Sequence, residues 1–99
     1  MDEKLKKFTA EMRSVFTDAK IMLFGSRAKG TARTDSDYDL IIVSKKFDKI
    51  PFVNRAYQVW RNSNTIIAAD LLCYAPGEVK KIARNSVILR DALKHAVAI

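Results

Sequence analysis

Apolar residues at Leu5, Phe8, Met12, Val15 and Phe16 recur with the spacing of a helix that buries one face. Lys4, Lys6, Lys7, Glu11 and Arg13 fall on the other side and read as a solvated surface. Beyond Asp18 the pattern changes. Ile21-Met22-Leu23-Phe24 is a short unbroken apolar run stopped by Gly25, which predicts a buried strand. The stretch 25–37 is polar and glycine-bearing, with room for one helical turn around Arg27 to Lys29. Tyr38-Asp39-Leu40-Ile41-Ile42-Val43 is rich in β-formers and predicts a second strand, after which 44–50 reads as a basic loop.

Pro51 suits the first turn of a helix whose apolar side is Phe52, Val53, Ala56, Tyr57, Val59 and Trp60, ended by Asn62-Ser63-Asn64. A third strand is expected over 65–74. Pro76 and Gly77 then open a segment with Val79, Ile82 and Ala83 on one helical face, interrupted at Asn85-Ser86. Val87-Ile88-Leu89 fits a short strand or a continuing helix, and periodicity alone does not decide between them. The order helix, strand, turn, strand, helix, strand, helix defines a small α/β (α+β) fold, a mixed sheet with helices packed on it. Tyr38, Tyr57, Trp60 and the phenylalanines are expected in its core.

Composition narrows the classes. A chain of 99 residues, 48% hydrophobic, holds one small core and one domain spanning 1–99. Its single cysteine, Cys73, excludes an internal disulfide, and with only His95 beside it no zinc site is available. No apolar run approaches a membrane span, and MDEKLKKFTAEM lacks the apolar centre of a signal peptide, so a reducing cytoplasm is the default expectation. The 18 Lys and Arg against 11 Asp and Glu point to anionic partners. The lysines are scattered, however, and read as solvated faces more than as a groove for nucleic acid.

Two features stand apart from the scaffold: Gly25-Ser26-Arg27 after a buried strand, and Asp35-Ser36-Asp37-Tyr38-Asp39 leading into the next. Residues two apart on a strand share a face, so Asp37 and Asp39 converge while Tyr38 turns away. Neighbouring carboxylates repel unless a cation sits between them, and magnesium, which prefers hard oxygen ligands and substrate phosphates, suits that role. Asp70 is a carboxylate inside the apolar run 66–72, costly to bury unless it faces the same cation. Three aspartates from two strands, with a bound triphosphate, could hold two metals roughly 4 Å apart for in-line displacement. Gly25 lets backbone approach a phosphate, the Ser26 hydroxyl can hold its oxygens, and Arg27, Lys29 and Arg33 are placed to neutralise its charge. Two rival motifs fail. A calcium-binding EF-hand loop starting at Asp35 needs Gly at Leu40 and Glu at Lys46. A P-loop spanning Gly25 to Gly30 needs Lys-Ser/Thr where Thr31-Ala32 stands.

Gly25-Ser26 followed after ten residues by Asp37-Tyr38-Asp39 resembles the signature of the DNA polymerase β-like nucleotidyltransferase superfamily. The longer stretch LFGSRAKGTA, then SDYDL, is similar to its minimal nucleotidyltransferase branch, whose members often accompany a helical HEPN-type ribonuclease toxin. The resemblance implies that Gly25 and Ser26 bind the β- and γ-phosphates of ATP, with Arg27 beside them. It implies that Asp37, Asp39 and Asp70 bind two Mg2+ ions, Asp70 also helping to deprotonate the attacking hydroxyl. Lys29 stands where many relatives have Arg, which keeps the charge without the bidentate fork. Larger relatives carry a further domain for acceptor or base. By resemblance, then, the acceptor comes from another chain, a second copy or a HEPN-type toxin neutralised by AMP on a tyrosine. The alternative is an inactive binding module that masks its partner by contact. Setting aside Asp35, Asp37, Asp39 and Asp70 leaves 7 acids against 18 bases, a positive surround for one acidic pocket. Asp35 reads as a turn residue, and Arg27 equally as an ion-pair partner.

Overall fold

The computed structural model describes residues 2–25, 28 and 37–99. Helix α1 (Glu3–Val15) opens at Asp2, whose side chain accepts the Lys4 N–H, and buries Leu5, Phe8, Thr9 and Met12. Strand β1 (Lys20–Phe24) follows, then β2 (Tyr38–Val43), a 3-10 helix (Lys45–Lys49) and helix α2 (Phe52–Arg61). Strand β3 (Ala69–Tyr74), helices α3 (Pro76–Asn85) and α4 (Val87–His95), and the two-residue strand β4 (Val97–Ala98) complete the chain. The sheet order is β3-β2-β1-β4, with β1 antiparallel to both neighbours and β2 parallel to β3. The expected mixed sheet with packed helices is therefore present.

Strand alternation sorts the core into two layers. Ile21, Leu40, Ile42 and Cys73 face α1, α2 and the 3-10 helix, packing with Leu5, Phe8, Met12, Phe16, Phe47 and Val59. The alternate residues Ile41, Val43 and Tyr74 turn to the opposite face, where Leu89 closes on them with Val79, Ile82 and Leu93 alongside. Each such side chain, fully buried, contributes about 1.5–3 kcal/mol relative to exposure. Two pairs of helices thus cover the two faces of one sheet.

Several expectations are corrected. The basic stretch 44–50 holds a 3-10 helix, because Ser44 accepts the Lys46 N–H and Phe47 is buried as its anchor. The third strand is shorter than 65–74: Ser63, Asn64 and Thr65 are stitched into a turn, with the Glu11 carboxylate taking the Ser63 hydroxyl and the Asn64 N–H. Residues 87–89 are helical, capped by the Ser86 hydroxyl on the Leu89 N–H. The strand β4 had no sequence signal. Phe52 and Tyr57 lie largely outside the core, 54% and 64% exposed, and so does Val53. The helical turn expected around Arg27 to Lys29 falls on residues outside the described set.

Helix α2 also holds a buried arginine. Arg55 donates from Nε to the Ile50 carbonyl and from its terminal nitrogens to the Cys73 carbonyl and both Glu78 oxygens, at 2.6–3.1 Å. Its guanidinium also stands 5.9 Å from the Phe47 ring centre and 5.6 Å from that of Phe52. One side chain thereby fastens α2 to the end of β3 and the start of α3. Glu78 also accepts the Ala75 N–H, closing the N-terminus of α3. Held by Arg55, its carboxyl titrates below the ordinary value.

Glu78→Ala strands a guanidinium whose side chain is only 6% exposed, and it should cost about 2 kcal/mol in urea unfolding. That is less than a fully buried pair would lose, because Glu78 is 38% exposed and partly screened. Since the folded protein lowers this carboxyl's pKa, the stabilisation is present above the ordinary carboxylate range and fades as pH falls through the folded pKa. The gap between wild type and variant should close in acid.

Candidate active site

The parallel pairing of β2 and β3 sets Asp39 in register with Asp70, at the end where both strands begin. Asp37 lies two residues before Asp39, on the parity of the same face. Asp39 is half-buried, whereas Asp37 and Asp70 are exposed. Burial, then the charges of Asp70 and Asp37, push the Asp39 carboxyl above its ordinary value. The three aspartates singled out in the sequence are thus brought into one electrostatic neighbourhood. The premise for Asp70 is corrected: the residue is exposed, and its register and its charge associate it with Asp39.

Gly25 closes this neighbourhood from β1, whose last residue, Phe24, pairs with Asp39. Its φ of +72° lies in the left-handed region that favours glycine. A Cβ there would press into the Asp39 carboxylate, 3.1 Å from its Cγ and nearer still to Oδ2. The missing side chain is therefore what makes room for the Asp39 carboxylate at the end of β1. Ser26, Arg27, Lys29, Arg33 and Asp35 lie outside the described residues.

Among the described residues no three His, Cys, Asp or Glu side chains stand grouped closely enough to hold a metal. The fit of a cation rests instead on the chemistry of the donors: hard carboxylate oxygens, one held partly desolvated and repelled by two like charges, which is the environment a divalent cation relieves. A cavity of about 270 Å³ lined by Asp18, Lys20, Val43, Lys45 and Pro76 lies at the opposite end of the strands, away from these carboxylates. Cys73 is buried in β3 and its thiol is pushed up to about 12 by burial, the nearby Arg55 charge opposing, so it is no nucleophile. His95 stands 3.7 Å from Asp91 on the surface of α4. No helix among the described residues is long and apolar enough to cross a membrane.

Two supporting carboxylates escaped the sequence reading. Asp2 was legible as a helix N-cap, but its second oxygen also accepts the Tyr38 hydroxyl at 2.8 Å. Glu11 looked like part of a solvated face; hydrogen bonds from Thr65, Asn64 and Ser63 lower its pKa and pin the turn that leads into β3.

The site is thus a small mixed sheet with carboxylates beside a glycine-ended strand. Comparison with known proteins makes the class specific. The profile of the nucleotidyltransferase domain matches residues 3–99, and the chain belongs to that family, one of the polymerase β-like families. A candidate nucleotidyltransferase from Sulfolobus solfataricus, known from a crystal structure, superposes with a TM-score of 0.69 at 25% identity, over 97% of this chain and 76% of that one. A second candidate nucleotidyltransferase gives a TM-score of 0.58 at 22% identity, over 85% of this chain and 91% of that one, and supports the fold. No curated protein matches significantly.

The raised Asp39 pKa has a defined sign. The folded state holds this proton more tightly than the unfolded chain, so stability falls as pH climbs from the ordinary carboxylate range through the raised value. Asp39→Asn should therefore raise the thermal midpoint of the metal-free protein at pH 7, with the gain vanishing in acid. Gly25→Ala should destabilise the fold by about 1–3 kcal/mol and so lower that midpoint, because it combines a strained φ with a clash on Asp39.

Proposed function

We propose that this protein is a Mg2+-dependent nucleotidyltransferase that moves AMP from ATP to a hydroxyl acceptor, a tyrosine of a HEPN-type toxin, and so acts as an antitoxin in a cytoplasmic toxin–antitoxin pair. The observation that carries it is the register of Asp39 with Asp70, with Asp37 on the same parity and Gly25 packed closely on Asp39. Membership of the nucleotidyltransferase family supports nucleotidyl transfer; nucleotide, metal, acceptor and biological role are the proposal.

Asp37, Asp39 and Asp70 are the residues to hold magnesium, which when bound supplies charge neutralisation for the carboxylates and the triphosphate. Gly25 ends β1 with room for Asp39, and Ser26 and Arg27 follow it in the chain to take phosphate oxygens and charge. Asp70, the most open of the paired carboxylates, receives the proton of the acceptor hydroxyl. The acceptor oxygen bonds to the α-phosphorus, the α–β phosphoanhydride breaks, and pyrophosphate leaves.

A contact-only reading has one observation in its favour: Phe52, Val53 and Tyr57 expose apolar surface on α2 that could cover a partner. One experiment separates the two. With Mg2+, labelled ATP and a HEPN-type toxin from the same genome, label should move to the toxin, and Asp37→Ala with Asp39→Ala should reduce transfer by at least about 100-fold. Toxin neutralisation that survives those substitutions without label transfer replaces the enzyme with the masking module.

A further inference from the structure

The two faces of β2 at its first residues do opposite things. Asp37 and Asp39 share one parity, and Tyr38 the other, where it packs against the α1 and α2 core. Its backbone N–H donates to the Ala68 carbonyl at 2.9 Å, and its hydroxyl reaches the Asp2 carboxylate at 2.8 Å. Asp2 is committed on both oxygens, one closing the first turn of α1 through Lys4 and the other taking Tyr38. Helix α1 is itself fixed by the burial of Leu5, Phe8 and Met12. Beside its backbone pairing with β3, this hydroxyl links the strand's start to a packed helix.

The carboxylates on the other face repel one another, and repulsion at a strand end is relieved by letting the end splay. We infer that Tyr38, through its hydroxyl on Asp2, is a positioning residue that holds the start of β2 against α1, so that Asp37 and Asp39 stay together on one face to take up a divalent cation, which draws in Asp70 from the paired position of β3. The inference rests on the metal-binding part of the proposed function. Tyr38 touches no substrate; it acts through the backbone of its two neighbours.

The test is a calorimetric titration of Mn2+ alone into the nucleotide-free chain, for wild type, Tyr38→Phe, Asp2→Asn and the double variant, with thermal unfolding in parallel. Asp2→Asn keeps a good N-cap, so the helix start is preserved while the tether to Tyr38 is weakened. Each single variant should raise the half-saturating Mn2+ concentration roughly fivefold, and the double variant no further than either single. Nucleotidyl transfer lost at limiting Mn2+ should return at high Mn2+. Variants that lower the thermal midpoint but leave the Mn2+ midpoint unchanged overturn the inference, since the bond is then only structural. Wild type that transfers nucleotide while Tyr38→Phe titrates identically fells this inference alone. Wild type that binds Mn2+ through Asp37 and Asp39, with the predicted shifts, but transfers nothing fells the enzymatic reading alone. A wild type that takes up no Mn2+ overturns the positioning role as well.

Discussion

In a parallel pair of strands, residues in register stand side by side, and here that rule places Asp39 next to Asp70. Like charges at neighbouring positions of a sheet are unfavourable, and a sheet chosen for stability alone would not keep them. The molecule tolerates the pair because Asp70 and Asp37 remain in water and only Asp39 is partly withdrawn from it. The rest of the fold is arranged around that local conflict: both apolar layers fill beyond it, and the glycine beside it removes the one side chain that would collide with Asp39. A cation taken up there would bind the folded state and not the unfolded chain, and so stabilise the fold.

The opposite end of the sheet is held by different chemistry. Arg55 gathers the Ile50 and Cys73 carbonyls and the Glu78 carboxylate, while Asp18 accepts the Ser44 hydroxyl and the Lys45 N–H, which holds its pKa down. At this end Arg55, Glu78 and Asp18 are paired or hydrogen-bonded; among the described residues at the other, Asp37, Asp39 and Asp70 are gathered with like sign. Paired charges add to stability, whereas like charges held together detract from it, so the two ends of the sheet differ in what they contribute to the fold.

Much of this was legible in the chain because it depends on local order. Apolar runs gave β1 and β2, the helical spacing gave α1, and the two-residue step between Asp37 and Asp39 gave their shared face. The readings that failed depended on distant partners. Arg55 looks like any surface arginine until β3 and α3 bring a carbonyl and Glu78 to it, and its burial leaves the apolar Phe52, Val53 and Tyr57 turned outward. Residues 65–68 have strand-forming side chains, but Glu11 from α1 claims the backbone just before them. Asp70 was noticed for a burial it does not have, and its place opposite Asp39 follows from register, which spacing within one strand cannot supply. The strand β4 is too short to leave a pattern; it exists because β1 has an open edge.

One buried atom gives the molecule a built-in recorder. The Cys73 sulfur lies between the sheet and α2, protonated and out of reach of reagents in the native state. Alkylation at that position can proceed only when the layer formed by α1, α2 and the 3-10 helix comes away from the strands. As the chain has no other thiol, the rate of its modification counts openings of that single layer. The breathing of the fold is therefore measurable in the natural sequence, without adding a probe.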